Sequence, residues 1–139
     1  MKHGYFSGTI TTARTGYVPG DKIIIDAGFE NATNILIRYY SLKLVRNLKY
    51  FANGQKISEY CTVSKLRRDK IISPGETDTW EGVTLRVPDN TQPSGLGGPR
   101  DSIIQLEYSV ELHVKKSGFL ASNQVLVRLP IIIGTHSYN

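Results

Sequence analysis

The chain has 139 residues, with 17 Lys and Arg against 12 Asp and Glu, and therefore a formal net charge of +5. This length suits one domain, and 40% hydrophobic with 21% charged residues excludes a disordered chain. No apolar run is long enough to cross a bilayer, and the N-terminus lacks a secretory signal, so we expect a cytosolic protein. The single cysteine, Cys61, excludes an intrachain disulfide and a cysteine-based zinc site.

Apolar residues occupy alternate positions in several segments, which is typical of strands that bury one face. The first such segment presents Ile23, Ile25, Ala27 and Phe29 on one face. Between Asn34 and Phe51 the alternation changes parity, which favours a β-bulge over a break between two strands. Asn53-Gly54 follows and readily adopts the two positive φ angles of a type I′ turn. We therefore predict a hairpin whose second strand runs through Ile57, Tyr60 and Val63.

The second half of the chain continues this pattern. Pro74-Gly75 predicts a turn before Trp80, which we expect to anchor the core, and before a strand through Val83, Leu85 and Val87. Residues 88–100 are rich in Pro and Gly and predict a loop.

Two further strands complete the predicted sheets. From Ile104 to Lys115 apolar and polar residues alternate strictly, so we expect Glu107, Glu111 and His113 to face water. The last strand carries Val125, Val127, Leu129, Ile131 and Ile133, and Pro130 within it indicates an edge position or a bulge. Seven or eight strands without a helical segment predict an all-β sandwich or barrel forming one domain over residues 1–139.

Residues for catalysis or metal binding do not converge in the sequence. His3, His113 and His136 are far apart, and Cys61 has no evident base to activate it. A Gly-x-Ser-x-Gly nucleophile motif is absent, and the Gly-rich segment at Gly95 lacks the Lys of a phosphate-binding loop. We therefore expect no enzyme activity, no cofactor and no metal site.

Positive charge is the remaining polar signal, and it is densest in one short segment. Four cations lie within six residues: Lys65, Arg67, Arg68 and Lys70. The predicted hairpin can bring Lys43, Arg46 and Lys49 alongside them. Such a strip can contact an anionic lipid or a phosphopeptide, or it can be a solvated rim that discourages edge-to-edge strand pairing. Nucleic acid is not expected as a partner, because no aromatic stacking platform accompanies the charge.

Short motifs in order along the chain resemble one known family. They are Arg14-Thr15-Gly16-Tyr17-Val18-Pro19-Gly20-Asp21-Lys22-Ile23, Phe29-Glu30-Asn31, Ala52-Asn53-Gly54-Gln55, Ile72-Ser73-Pro74-Gly75 with Trp80, Leu85-Arg86-Val87-Pro88, Pro93-Ser94, Ile104-x-Leu106-Glu107-Tyr108 and Leu129-Pro130-Ile131-Ile132-Ile133-Gly134-Thr135. Together they resemble the C-terminal arrestin domain of the α-arrestins, the arrestin domain-containing proteins that include thioredoxin-interacting protein.

This resemblance implies an antiparallel, immunoglobulin-like sandwich of the arrestin type, as one part of a longer two-sandwich adaptor. Such adaptors link membrane-protein cargo to ubiquitin ligases in endocytic trafficking, so the implied location is the cytoplasm with recruitment to plasma membrane or endosomes. The ligase-binding Pro-Pro-x-Tyr motif is not in this sequence, so the ligase would contact other regions. Thioredoxin is not an expected partner, since Thr33 stands where thioredoxin-interacting protein has its reactive cysteine.

A second interpretation stays open at this point. The sequon Asn31-Ala32-Thr33 and the aromatic content are also compatible with an extracellular immunoglobulin-like or carbohydrate-binding sandwich. The oligomeric state, the cargo and the ligase are not predicted by the sequence.

Overall fold

The computed structural model describes residues 4–97, 104–115 and 123–135, and over these ranges its regular structure is β-strand. The strands are β1 (Tyr5–Thr12), β2 (Gly16–Tyr17), β3 (Lys22–Ala32), β4 (Ile37–Ala52), β5 (Gln55–Ile72), β6 (Thr77–Arg86), β7 (Gly95–Gly97), β8 (Ile104–Lys115) and β9 (Asn123–Ile133). No helix that could span a bilayer occurs in the described part of the chain.

The strands form two packed sheets. The small sheet has the order β1-β3-β6, and the large sheet has the order β2-β9-β8-β4-β5, with the short β7 also paired to β8. All pairs are antiparallel except β2 with β9. The predicted all-β sandwich is therefore confirmed, and the barrel alternative is wrong, because the strands lie in two sheets. The described ranges contain nine strands, against seven or eight predicted; β2 and β7 are too short to show a hydrophobic alternation.

The core lies between the inner faces of the two sheets, where the alternation placed it. Ile23 and Ile25 of β3 are fully buried, as are Leu42 and Leu44 of β4 and Val110 of β8. An aromatic stack continues this core towards β6, formed by Phe6, Phe29, Tyr40 and Trp80, the last edge-on to Tyr40 at 5.7 Å. Burial of this apolar surface is the main source of stability for a domain without a disulfide.

Bulges explain where the alternation changes parity. The β4–β5 register shifts between Ile37 and Tyr39, so β4 remains one strand while Tyr39 turns outward and Tyr40 inward. In β9 the expected inward position of Val125 is wrong. A register shift between Leu112 and His113 turns Val125 outward, where it is 39% exposed.

The predicted turns are in place. Asn53 and Gly54 join β4 to β5 with φ values of 54° and 76°, as a type I′ hairpin requires. Gly75, with a φ of 84°, turns the chain between β5 and β6. The predicted loop over residues 88–100 needs one correction, because Gly95–Gly97 pairs with β8 as β7; residues 98–100 lie outside the described ranges.

Asn31 is a structural residue rather than an exposed glycan acceptor. Its side chain is fully buried, and its amide donates to the carbonyl groups of Ile35 at 2.8 Å and Ile72 at 3.1 Å. Its Oδ1 accepts from the Thr33 hydroxyl at 2.6 Å. A glycan on this amide has no room in the folded domain, which counts against the extracellular interpretation.

Candidate functional site

The pleat of β5 divides the four predicted basic residues between two faces. Lys65 and Arg67 project from the outer face of the large sheet, whereas Arg68 and Lys70 reach towards Asp78 on β6. The expected single strip is therefore corrected to two separate pairs, because neighbours in a strand point in opposite directions.

Arg68 and Lys70 neutralise a buried carboxylate. Arg68 Nε lies 2.6 Å from Asp78 Oδ2, and Lys70 Nζ lies 2.7 Å from Asp78 Oδ1. The Tyr40 hydroxyl donates to Asp78 Oδ2 at 2.6 Å, and Arg68 also stacks on Trp80, 5.6 Å from its ring centre. This Asp78 cluster joins the edge of the large sheet to the edge of the small sheet.

Hydrogen bonding within the Asp78 cluster governs its titration. Burial alone would raise the pKa of Asp78, but hydrogen bonds from Arg68, Lys70 and Tyr40 outweigh it and hold that pKa well below its usual range. Burial and the bond to Asp78 raise the pKa of Tyr40. Asp78 is therefore ionised at neutral pH, and Arg68 and Lys70 are engaged by it.

Lys65 and Arg67 belong to a shallow depression of about 290 Å³ on the outer face of the large sheet, here called the basic depression. It is lined by residues from four strands: Tyr39, Ser41 and Lys43 of β4, Lys65 and Arg67 of β5, His113 and Lys115 of β8, and Asn123 of β9. Lys43 is paired directly opposite Lys65 in the β4–β5 register. The depression thus gathers four cations from three strands.

Most of this charge is not neutralised locally. Arg67 pairs with Asp69 at 2.8 Å and stacks on Tyr39, with 4.7 Å between guanidinium and ring centre. Lys43, Lys65 and Lys115 form no salt bridge to any carboxylate of the described residues. Burial and the neighbouring charge of Lys65 lower the pKa of Lys43. An anion placed between these side chains would relieve that repulsion.

Glu111 and His113 are buried, which corrects the prediction that they face water. Glu111 accepts hydrogen bonds from Arg128 Nε at 2.7 Å, Ser109 Oγ at 2.9 Å and His113 Nε2 at 2.8 Å. Burial would raise the pKa of Glu111, but these bonds outweigh it and lower that pKa. The outer face is covered here because Arg128 lies over it, with its guanidinium 5.6 Å from the ring centre of Tyr60.

The other basic residues noted in the sequence have different surroundings. Lys49 pairs with Glu107 at 3.0 Å, and Arg46 lies opposite the buried Tyr108 in the β4–β8 register. Sequence reasoning missed Lys115 as a member of the site, because only the long-range pairing of β4 with β8 brings it to the basic depression. Cys61 is exposed on β5. Among the described residues no three potential His, Cys, Asp or Glu ligands converge on one point.

Comparisons with known proteins agree on one family. The sequence model for "Arrestin (or S-antigen), C-terminal domain" matches residues 2–138. Human (Homo sapiens) thioredoxin-interacting protein is 36% identical over 124 residues, which covers 89% of this chain and 29% of that protein. Human arrestin domain-containing protein 4 is 34% identical over 126 residues, covering 91% of this chain and 28% of that protein. The resemblance predicted from the ordered motifs is thereby confirmed.

A solved structure supports the fold. The sporulation control protein Spo0M from Bacillus subtilis superposes with a TM-score of 0.67 over 96% of this chain and 51% of that chain, at 20% identity. This likeness concerns the fold alone. The chain spans somewhat under a third of the length of the curated relatives described above.

Proposed function

We propose that this chain, which belongs to the arrestin C-terminal domain family, is a non-catalytic protein-interaction module of an α-arrestin adaptor. The observation that carries this proposal is the match of residues 2–138 to the family, together with 31–36% identity to thioredoxin-interacting protein and arrestin domain-containing protein 4. The adaptor would link membrane-protein cargo to ubiquitin ligases in endocytic trafficking. It would act in the cytoplasm and be recruited to plasma membrane or endosomes.

The adaptor role is tested in cells that lack the protein. Surface proteomics after re-expression of the full-length protein, or of the protein without residues 4–135, measures which membrane proteins it removes from the cell surface. We expect a subset of membrane proteins to accumulate without the protein and to be cleared only by the intact form. Equal clearance by both forms would show that this domain is not the module that selects cargo.

We also propose that the basic depression contacts the anionic surface of a membrane. Three lysines that form no salt bridge with the described carboxylates and the stacked Arg67 support this assignment. Arg68 and Lys70 are left out of it because Asp78 engages them. Attraction to anionic lipid contributes about 1 kcal/mol per basic residue near the surface and weakens with salt. A phosphopeptide remains the competing ligand.

Liposome co-sedimentation at low salt tests the membrane proposal. Lys65→Glu with Arg67→Glu should reduce pelleting with vesicles that contain phosphatidylserine. The matched control is Lys22→Glu with Lys56→Glu, which makes the same change of net charge at exposed positions outside the depression. Equal pelleting of the two double variants would show that the loss depends on net charge and not on the basic depression. Direct binding of a phosphopeptide, without any pelleting, would instead favour a phosphoprotein partner.

A further inference from the structure

His113 is a buried imidazole that lines the basic depression. It is 7% exposed, and both of its ring nitrogens have partners. Its Nε2 lies 2.8 Å from Glu111 Oε1, and its Nδ1 lies 2.7 Å from Asn123 Nδ2. Since a carboxylate accepts and an amide nitrogen donates, this arrangement corresponds to a neutral ring that carries its proton on Nε2.

Most of the charge around this ring is positive. The ionisable groups that face it from the neighbouring strands are Tyr39 and Lys43 of β4, Lys65 and Arg67 of β5, Glu111 and Lys115 of β8, and Arg128 of β9 through Glu111. Glu111 favours a protonated ring, but its carboxylate is shared with Arg128 and Ser109. Burial first, and then the charge of Lys43, lower the pKa of His113. Burial and the neighbouring cations therefore favour the neutral ring.

We propose that His113 couples anion binding in the basic depression to pH, so that the ring takes up a proton from solvent when an anion binds. This inference rests on the proposal that the depression binds an anionic group. A negative charge among Lys43, Lys65 and Lys115 offsets the repulsion that disfavours the imidazolium. By linkage, whatever favours the protonated ring on binding also makes binding tighter as the pH falls.

The hydrogen bonds around the ring permit the second protonation state. A protonated Nδ1 needs an acceptor, and a half-turn of the Asn123 amide presents its Oδ1 in place of Nδ2. The bond from Nε2 to the Glu111 carboxylate is kept and is strengthened, because its donor becomes cationic. Proton uptake thus requires a change at one side chain and none in the sheet.

Sulfate is the probe for this coupling, because its charge does not change over the range in which histidine titrates. Nuclear magnetic resonance can follow His113 in the full chain, since only two other histidines, His3 and His136, are present. We expect sulfate to raise the midpoint of the His113 titration while leaving those of His3 and His136 unchanged. We also expect the Kd for sulfate to be lower at about pH 5.5 than at about pH 8, by at most about five-fold, because one added charge a few ångströms away contributes about 1 kcal/mol.

Two variants separate the possible failures. His113→Gln should bind sulfate with a Kd that does not vary with pH, and Lys65→Glu with Arg67→Glu should abolish binding at both pH values. Binding that depends on Lys65 and Arg67 but has the same Kd at both pH values would overturn the coupling and leave the anion site standing. Absence of sulfate binding in the intact protein would overturn both the anion site and its coupling to pH. If His113→Gln unfolds, the His113 titration midpoint of the wild type with and without sulfate still decides whether binding is coupled to protonation.

Discussion

Replacing Asp78 by alanine tests whether the Asp78 cluster holds the two sheets together at their edge. The carboxylate is on β6 of the small sheet, whereas its partners Arg68, Lys70 and Tyr40 are on β5 and β4 of the large sheet. The Asp78 side chain is 3% exposed, so water cannot replace these contacts in the native state. We expect Asp78→Ala to lower the free energy of unfolding by about 3 kcal/mol.

The magnitude follows from what each partner loses. Tyr40 is fully buried, and its hydroxyl would lose its hydrogen-bond partner at a cost of about 1–3 kcal/mol. Arg68 and Lys70 have side chains that are 27% and 51% exposed, so water can resolvate them in part. Because of that exposure, we expect the decrease in the free energy of unfolding to lie at the lower end of the roughly 3–5 kcal/mol typical of a broken buried ion pair.

Urea denaturation of wild type and variant measures this loss, and thermal melting should show a decrease in Tm of about 10 °C. Asp69→Ala is the matched control, because Asp69 pairs with Arg67 at the surface with a side chain that is 67% exposed. It should change stability by less than about 1 kcal/mol. A loss below about 1 kcal/mol for Asp78→Ala, equal to that of the control, would refute the role assigned to the cluster.

The same carboxylate predicts how stability depends on pH. Because folding lowers the pKa of Asp78, its contribution is complete above the unfolded value of about 3.9 and is lost as the pH falls towards the folded value. Wild type and Asp78→Asn should therefore differ in stability at neutral pH, and this difference should begin to shrink below about pH 4. A difference that stays constant down to strongly acidic pH would contradict the assigned protonation state.

Three further changes test the core and its buried polar groups. Asn31→Ala should cost about 2–3 kcal/mol in urea denaturation, because it leaves buried carbonyl groups without donors; wild-type stability would contradict the structural role. Gly8→Ala should cost about 1–3 kcal/mol, since the added methyl would overlap the Leu112 side chain, and adding Leu112→Val should restore part of the loss. Tyr108→Phe removes a 2.6 Å hydrogen bond to the Gln92 carbonyl and should cost about 1 kcal/mol, which a measurable fall in Tm would show.

Local sequence signals were sufficient for much of the fold. The alternation of Ile23 and Ile25 placed β3 on the core, and Asn53-Gly54 located the β4–β5 hairpin. Both signals act within a few residues, so they can be interpreted without knowing the tertiary structure. Local signals do not predict β2 and β7. These strands are two and three residues long and are defined by their pairing with β9 and β8.

The site could be predicted only in part, because it depends on pairing between distant segments. The density of charge at Lys65 and Arg67 was visible in the sequence. Their proximity to Lys115 depends on the β4–β8 register, which no local pattern encodes. The alternation in β8 also identified the correct outer face for Glu111, but not that Arg128 of β9 would cover it.

The division of charge along β5 decides how the surface can be probed. Lys65 and Arg67 face outward, where Arg67 contacts Asp69 and Tyr39 at the surface, whereas Arg68 and Lys70 hold a buried carboxylate. Reversing all four charges would place two acidic side chains against Asp78 and would destabilise the domain, since like charges in a buried site repel strongly. Loss of binding in that variant would then report unfolding. Reversing only Lys65 and Arg67 leaves the Asp78 cluster intact, so a loss of binding that exceeds the loss in the Lys22→Glu with Lys56→Glu control reports the basic depression itself.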